Sequence, residues 1–425
     1  MFPDMKTKIS NGHTAVIGAG MTGLAIARMI TEAGGRATVY EAASRPGGLV
    51  KCETVEGNLY HLTGGHVFNS KRGDVLEWFW RHFNKEADFI PARRNAVTSL
   101  DDGQLVGYPI ENHLYQFDAA TRNTIIRELL DIARAGERQP RTLGEFFDTR
   151  FGPTLNRVYF APYNTKIWGR DISGLPLEWL QGKLPMPTIE EIFENNIGGV
   201  DETKMVHSSF YYAKRGGSQF LADTLAKGLD IRCGSPVTRL EHTAEGKWLV
   251  EGETYDAVVY TGDIRQLTGA LGAQHPLNGM AAEISALGFH GTTSVLCRID
   301  DNPYSWIYMP SLKHGSHRII CTGNFSKGNN APGITTGTIE FSRRMEREEI
   351  EAELQKIPFH PQYIAHHWEE LTYPMQDAAS RDVIRRAKEI LAPQGLHLLG
   401  RFAEWEYYNM DAAIGACLDF MNTER

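Results

Sequence analysis

Gly18, Gly20 and Gly23 are spaced as G-x-G-x-x-G between a short apolar run, TAVI, and a longer run with helical periodicity; Glu41 closes the next apolar run. Residues of these types at this spacing suit a dinucleotide. The glycines permit a tight turn and bring a pyrophosphate to the amides of a helix N-terminus, while the carboxylate accepts from ribose hydroxyls. Three glycines alone would be plain turns, so it is the strand, helix and acid in step with them that carry the expectation. Just after Glu41, SRPGGL sets Arg45, Gly47 and Gly48 as a second cationic, bare-backbone surface, which favours FAD over a single nicotinamide unit. In the tail, a helix beginning near Asp411 can aim its first amides at an isoalloxazine ring and favour the anionic reduced form. There is no second G-x-G-x-x-G, so NAD(P)H is expected to reduce the flavin as a visitor.

A second chemical cluster is TGGHVFN, Thr63 to Asn69. Gly64 and Gly65 remove the side chains that would hold a peptide away from a flat ring, and His66 adds an imidazole with a pKa near neutrality. Backbone contact is the first expectation here and imidazole chemistry the second.

These residues need a scaffold. TAVIGAGMTGLAIARMITEAGGRATVYEA reads as strand, turn, helix and strand, the opening of a doubly wound sheet. From about Asp74 to Glu194 the text turns helical and aromatic (DVLEWFWRHF, RNTIIRELLDIARAG), whereas short alternating runs from about Leu271 to Thr372 (TTSVLCRID, HRIICTGNF, GTIEFSR) read as an antiparallel sheet. The expected fold class is α/β: a Rossmann-like FAD-binding domain with an inserted helical domain and an antiparallel β-sheet domain. The expected FAD-binding domain is discontinuous (1–73, 214–270 and 385–425); the helical domain covers 74–195, and the β-sheet domain 196–213 and 271–384.

Among 425 residues, 42% are hydrophobic and 23% charged, enough for a large core. A net charge of -8, from 44 basic and 52 acidic residues, disfavours a broad nucleic-acid or anionic-membrane footprint. Five scattered cysteines without a C-x-x-C pair argue against a disulfide framework or zinc, and are expected to be buried in a reducing compartment. With no signal-like start and no apolar run of membrane-span length, the expected location is cytoplasmic, with no metal and an open possibility of a homo-oligomer.

Several ordered segments resemble the UDP-galactopyranose mutase family. Besides the flavin fingerprint, which amine and protoporphyrinogen oxidases share, GGHV resembles the histidine loop of that family and VGYPIENHL its VPYPFQNN segment. PYNTKIWG resembles YTxKxWG, and SWIYMP with SHRIICTGNFS resembles a strand pair carrying a diphosphate arginine. TYPMQD and GLHLLGRFAEWEYYNMD resemble the C-terminal YP and GRLxxYxYxxMD elements.

The resemblance implies a pyranose–furanose mutase of a nucleotide sugar with no net redox change, serving glycoconjugate or polysaccharide synthesis. In it, reduced FAD attacks the anomeric carbon through N5, the nucleoside diphosphate leaves, and the sugar recloses through another hydroxyl. By motif match, Arg318 is the diphosphate arginine and Tyr163, Tyr373 and Tyr407 are diphosphate tyrosines. Trp168 stands near the substrate loop, with Tyr108, Glu111 and Asn112 in the nucleobase region. Gly400, Arg401, Asn409, Met410 and Val237 fall at the flavin, and Gly65 and His66 at its reactive face. The substrate is expected to be UDP-galactose or a related UDP-, GDP- or dTDP-sugar.

Two positions depart from the pattern. Where the family carries a substrate arginine after its tryptophan-glycine pair, this chain reads GKLPMP, leaving Lys183 or Arg215 as replacements that act as different kinds of cation. Glu111 replaces a glutamine; an ionised carboxylate only accepts hydrogen bonds, which suits a base with adjacent N–H donors such as guanine rather than uracil. The alternative reading of the chain is an FAD-dependent oxidoreductase of the amine oxidase or protoporphyrinogen oxidase kind, for which an apolar substrate cavity is expected. A flavin-binding protein without turnover is a third.

Overall fold

The computed structural model describes residues 9, 11–136, 139–171, 173, 174, 177, 187–199 and 208–423. The opening folds as β1 (His13–Ile17), α1 (Met21–Glu32) and β2 (Arg36–Tyr40). These strands belong to a five-stranded parallel sheet ordered Leu396–Leu398, Ala257–Tyr260, β1, β2, Asp230–Arg232. Val16 pairs with Val259 on one side and Val39 on the other, all three buried, as expected of strands covered on both faces. Gly23 is glycine for a packing reason: a Cβ there would lie 1.8 Å from the Gly18 carbonyl oxygen, so α1 could not sit down on the turn.

Residues 89–107, read from sequence as part of a helical stretch, instead form the strands Phe89–Arg93, Ala96–Ser99 and Leu105–Gly107. The runs FIPAR, AVTS and LVG are too short to show a period against the aromatic helices around them, and long-range pairing decides their state. Around them the chain is helical as expected, with Gly73–His82, Ala119–Ala135, Leu143–Phe151, α2 (Ala161–Trp168) and Ile189–Gly198.

The later half builds β3 (Phe289–Arg298), β4 (Trp306–Tyr308), β5 (Arg318–Ile320), β6 (Thr336–Phe341) and β7 (Gln362–Pro374). The seven-stranded sheet runs β7, β3, β6, β5, β4, Ala96–Ser99, Leu105–Gly107, antiparallel except where β4 meets Ala96–Ser99. The final helix, α3 (Met410–Thr423), returns to pack on α1. All five cysteines are free; Cys233 is exposed, against expectation, because it follows an edge strand of the parallel sheet. No helix among the described residues is long and apolar enough to cross a membrane.

Candidate active site

One cavity of about 1270 Å³ gathers most of the residues singled out in the sequence. It exceeds the roughly 300–1,000 Å³ of a typical single-ligand pocket, so it has room for two partners. Lining it are Gly18, Gly20, Glu41, Gly47, Gly48, Gly64, Gly65, His66 and Val237, then Tyr108, Glu111, Tyr163, Trp168, Arg318, Tyr373, Arg401, Tyr407, Asn409 and Met410. The cavity thus joins the carboxyl edge of the parallel sheet to the underside of the seven-stranded sheet.

At the first end the residues fit a flavin dinucleotide. Gly18 holds φ +102°, and a Cβ on it would lie 2.7 Å from Thr261 Oγ1, so the turn stays bare. Gly20 caps α1 with no side chain, leaving first-turn amides for an anion. The Glu41 carboxylate is fixed by the amides of Ala19 (2.7 Å) and Ala43 (2.8 Å) and retains acceptor capacity for hydroxyls. Near α3, Arg401 donates to the carbonyls of Thr372 (2.6 Å) and Tyr408 (3.1 Å), but its Nε is buried with no partner among the described residues. A cofactor acceptor would satisfy that donor.

The glycine pair lies between the two ends. Gly64 has φ +66°, and a Cβ on Gly65 would meet Ile320 Cγ2 at 2.4 Å, so β5 packs directly on bare backbone. His66 Nε2 donates to the Leu49 carbonyl at 3.0 Å. Burial first, then the charges of His61 and Arg401, pull the His66 pKa from 6.5 to about 4. At neutral pH the ring is an uncharged brace, which favours backbone contact over proton transfer at this loop.

Facing it is a charged cluster built by strand register. Tyr308, Arg318 and Glu340 are direct cross-strand partners on β4, β5 and β6. Arg318 Nε donates to the Glu340 carboxylate, and its NH2 donates to the Tyr373 hydroxyl at 3.1 Å. Burial disfavours the Glu340 charge, but Arg318, with His317 3.4 Å away, overrides it and holds the carboxyl at about 2. Glu340 therefore fixes the Arg318 fork while the rest of the guanidinium lies in the cavity. Tyr373 stacks on Tyr407 at 5.6 Å between centroids, and Arg401 lies 4.4 Å from the Tyr407 ring. On the other wall, Tyr163 meets Tyr308 edge-on at 5.6 Å, and Trp168 meets His290 at 5.4 Å.

At the far end Glu111 is 3% exposed and forms no ion pair among the described residues, contrary to a solvent-facing or cation-paired glutamate. Burial raises its pKa from 4.5 to about 7. Four further cavity residues that matter to the site were not singled out in the sequence. Arg94 lies 5.1 Å from the Tyr108 and Trp306 ring centroids and donates to the Tyr308 hydroxyl, while Tyr159 stacks on Tyr163 at 5.2 Å. The other two, His317 and Glu340, sit in or beside strands; a lone acid in the otherwise uncharged GTIEF was the available clue to Glu340.

Some expected residues lie outside the lining. Arg45 turns away to the Cys52 carbonyl (3.0 Å) and Gln219 (2.9 Å) and pairs with Glu53, bracing the turn instead of facing the cavity. Gly23 acts by close packing, and Gly400 (φ +93°) leaves room for Thr22. Asn112 is buried in the turn beside Glu111. Of the two replacement cations, Arg215 is exposed and away from the lining, and Lys183 lies outside the described residues.

A dinucleotide turn on a parallel sheet, closed by an antiparallel sheet over one shared cavity, defines an FAD-binding flavoprotein fold. The chain belongs to the flavin containing amine oxidoreductase family, whose model matches residues 21–414. It is similar to a Klebsiella pneumoniae protein described as a probable UDP-galactopyranose mutase, with 28% identity over 42% of this chain and 46% of that protein. It is also similar to an Escherichia coli dTDP-fucopyranose mutase, with 27% identity over 40% of this chain and 45% of that protein. These alignments span less than half the length of either relative. A crystal structure of reduced UDP-galactopyranose mutase shares the fold over 97% of this chain and 95% of that one, with TM-score 0.83 and 21% identity.

Proposed function

We propose that the protein is a flavin-dependent mutase interconverting the pyranose and furanose forms of a nucleoside-diphosphate sugar. The observation that carries this reading is the Arg318–Glu340–Tyr373 cluster, with Tyr163 and Tyr407, in the same cavity as the dinucleotide turn. A fixed cation amid tyrosine hydroxyls suits a departing diphosphate, whereas an oxidase of apolar substrates has no use for it. The similarity to UDP- and dTDP-sugar mutases supports the same substrate class. Bound reduced FAD would supply the nucleophile for the anomeric carbon, at N5, without net redox change; NAD(P)H is the proposed external reductant. Around it, Gly64 and Gly65 let the backbone approach the ring, Arg401 and the α3 amides stabilise negative charge on it, and Arg318 takes up the charge of the leaving diphosphate. Dithionite-reduced holoprotein offered UDP-galactopyranose and dTDP-fucopyranose is expected to form a furanose isomer from at least one; recovery of both unchanged contradicts the reading.

Burial alters what Glu111 offers a base. A protonated carboxyl both donates and accepts, as a glutamine amide does, so the acceptor-only argument for guanine holds only above its pKa. With that pKa at about 7, pyrimidine recognition through Glu111 would be near complete a unit or more below it, about half at the pKa, and fall toward tenfold per pH unit well above it. UDP and dTDP binding, measured by calorimetry from pH 6 to 9, is expected to follow that slope in the native protein and to be flat in Glu111→Gln. Tighter GDP binding at high pH would restore the purine reading.

A further inference from the structure

Lys166 has no part in the chemistry above, although it stands inside the PYNTKIWG segment. It lies on α2, three residues after Tyr163 and two before Trp168. Its side chain is buried, and it forms no ion pair among the described residues. Instead, Nζ donates to the carbonyls of Met309 (2.9 Å) and Ser316 (2.8 Å). An ammonium withdrawn from water without a carboxylate partner is costly, and its burial lowers the Lys166 pKa.

The two acceptors explain the placement. Met309 directly follows β4 and Ser316 stands two residues before the start of β5, so they are the two ends of the loop joining the strands. The Met309 amide also donates to the His317 carbonyl at 2.8 Å, closing the same neck. Arg318 is the first residue of β5, and Tyr308, its cross-strand partner, is the last of β4. The wall that bears Tyr163 is thus fastened to the hairpin that bears Arg318 by one side chain.

We propose that Lys166 is a positioning residue: its amino group gathers the Met309 and Ser316 carbonyls and thereby sets the span between Tyr163 and Arg318 that a nucleoside diphosphate must bridge. The diphosphate in this statement rests on the mutase reading, whereas the clip itself does not, and the test separates them. A small misplacement of a binding group is felt strongly, so Lys166→Met is expected to weaken UDP or dTDP binding roughly ten- to a hundredfold in flavin-loaded protein. Lys166→Gln, which keeps an N–H donor group on a shorter, uncharged arm, should fall between it and the native protein. In combination with Arg318→Lys the losses should be less than multiplicative, because both act on one element, whereas a general structural defect would multiply.

Hydrogen exchange at residues 309–318 reads the clip without any ligand and is expected to speed up in the variants while the parallel sheet is unchanged. If neither variant retains flavin, slower exchange of the same segment on adding UDP to the native holoprotein carries the test. Native affinity in both variants, multiplicative losses, or unchanged exchange at 309–318 overturns the proposal. A native protein that binds none of UDP, dTDP and GDP overturns the mutase reading, and exchange in the variants then decides the clip alone.

Discussion

Gly65→Val is expected to lower turnover by on the order of a hundredfold or more, while the thermal midpoint falls only as a crowded contact requires. A Cβ at this position lies 2.4 Å from Ile320 Cγ2 and 3.3 Å from Thr322 Cγ2, before any γ carbons are added. Ile320 and Thr322 belong to the segment led by Arg318, so the crowding can be relieved only by shifting that segment or by moving residues 64–66 into the cavity. Overpacking of this kind costs about 1–3 kcal/mol of stability. Turnover and flavin reduction, measured beside thermal unfolding of the same sample, check it. Intact activity would make the glycine pair a simple turn.

The second large effect is expected at Arg318. Arg318→Lys keeps a cation beside Glu340 but replaces a planar fork by a point charge, so it cannot hold the carboxylate and face a diphosphate at once. A loss on the order of 10²–10³ in kcat/KM is expected, with flavin content retained. Arg318→Ala should be worse in a different way: it leaves Glu340, whose side chain is 2% exposed, as an uncompensated buried charge, a defect that costs about 3–5 kcal/mol of stability. Comparing the two variants by steady-state kinetics and thermal unfolding separates the site from the fold. Equal activity of Arg318→Lys and the native protein would remove Arg318 from the reaction.

The nucleotide end of the cavity was legible because its signal is local: Gly18, Gly20, Gly23 and Glu41 stand within one strand–turn–helix–strand unit, and each spacing has a geometric cause. Arg318 and the tyrosines were reached by motif match, and they converge on one cavity. Glu340 was not, because its role comes from facing Arg318 across a strand pair, a register no short segment encodes. The strands at 89–107 were hidden for the same reason, since Ala96–Ser99 is held by a parallel partner two hundred residues away in β4. Arg45 erred in the opposite sense: the cation was present at the expected place, but Glu53 and Gln219 draw it off the cavity. The state of Glu111 also escaped the sequence, which shows its identity but not the burial that decides whether it donates or only accepts.

The most direct test of the central claim is an account of electrons. Holoprotein reduced once under anaerobic conditions and then mixed with the preferred nucleotide sugar is expected to form many equivalents of the furanose isomer per flavin, with the flavin still reduced at the end. The oxidised form should be inert and keep its spectrum. Bleaching of the oxidised flavin by the sugar, or product limited to one equivalent per reduced flavin, would show net redox chemistry and contradict the mutase account.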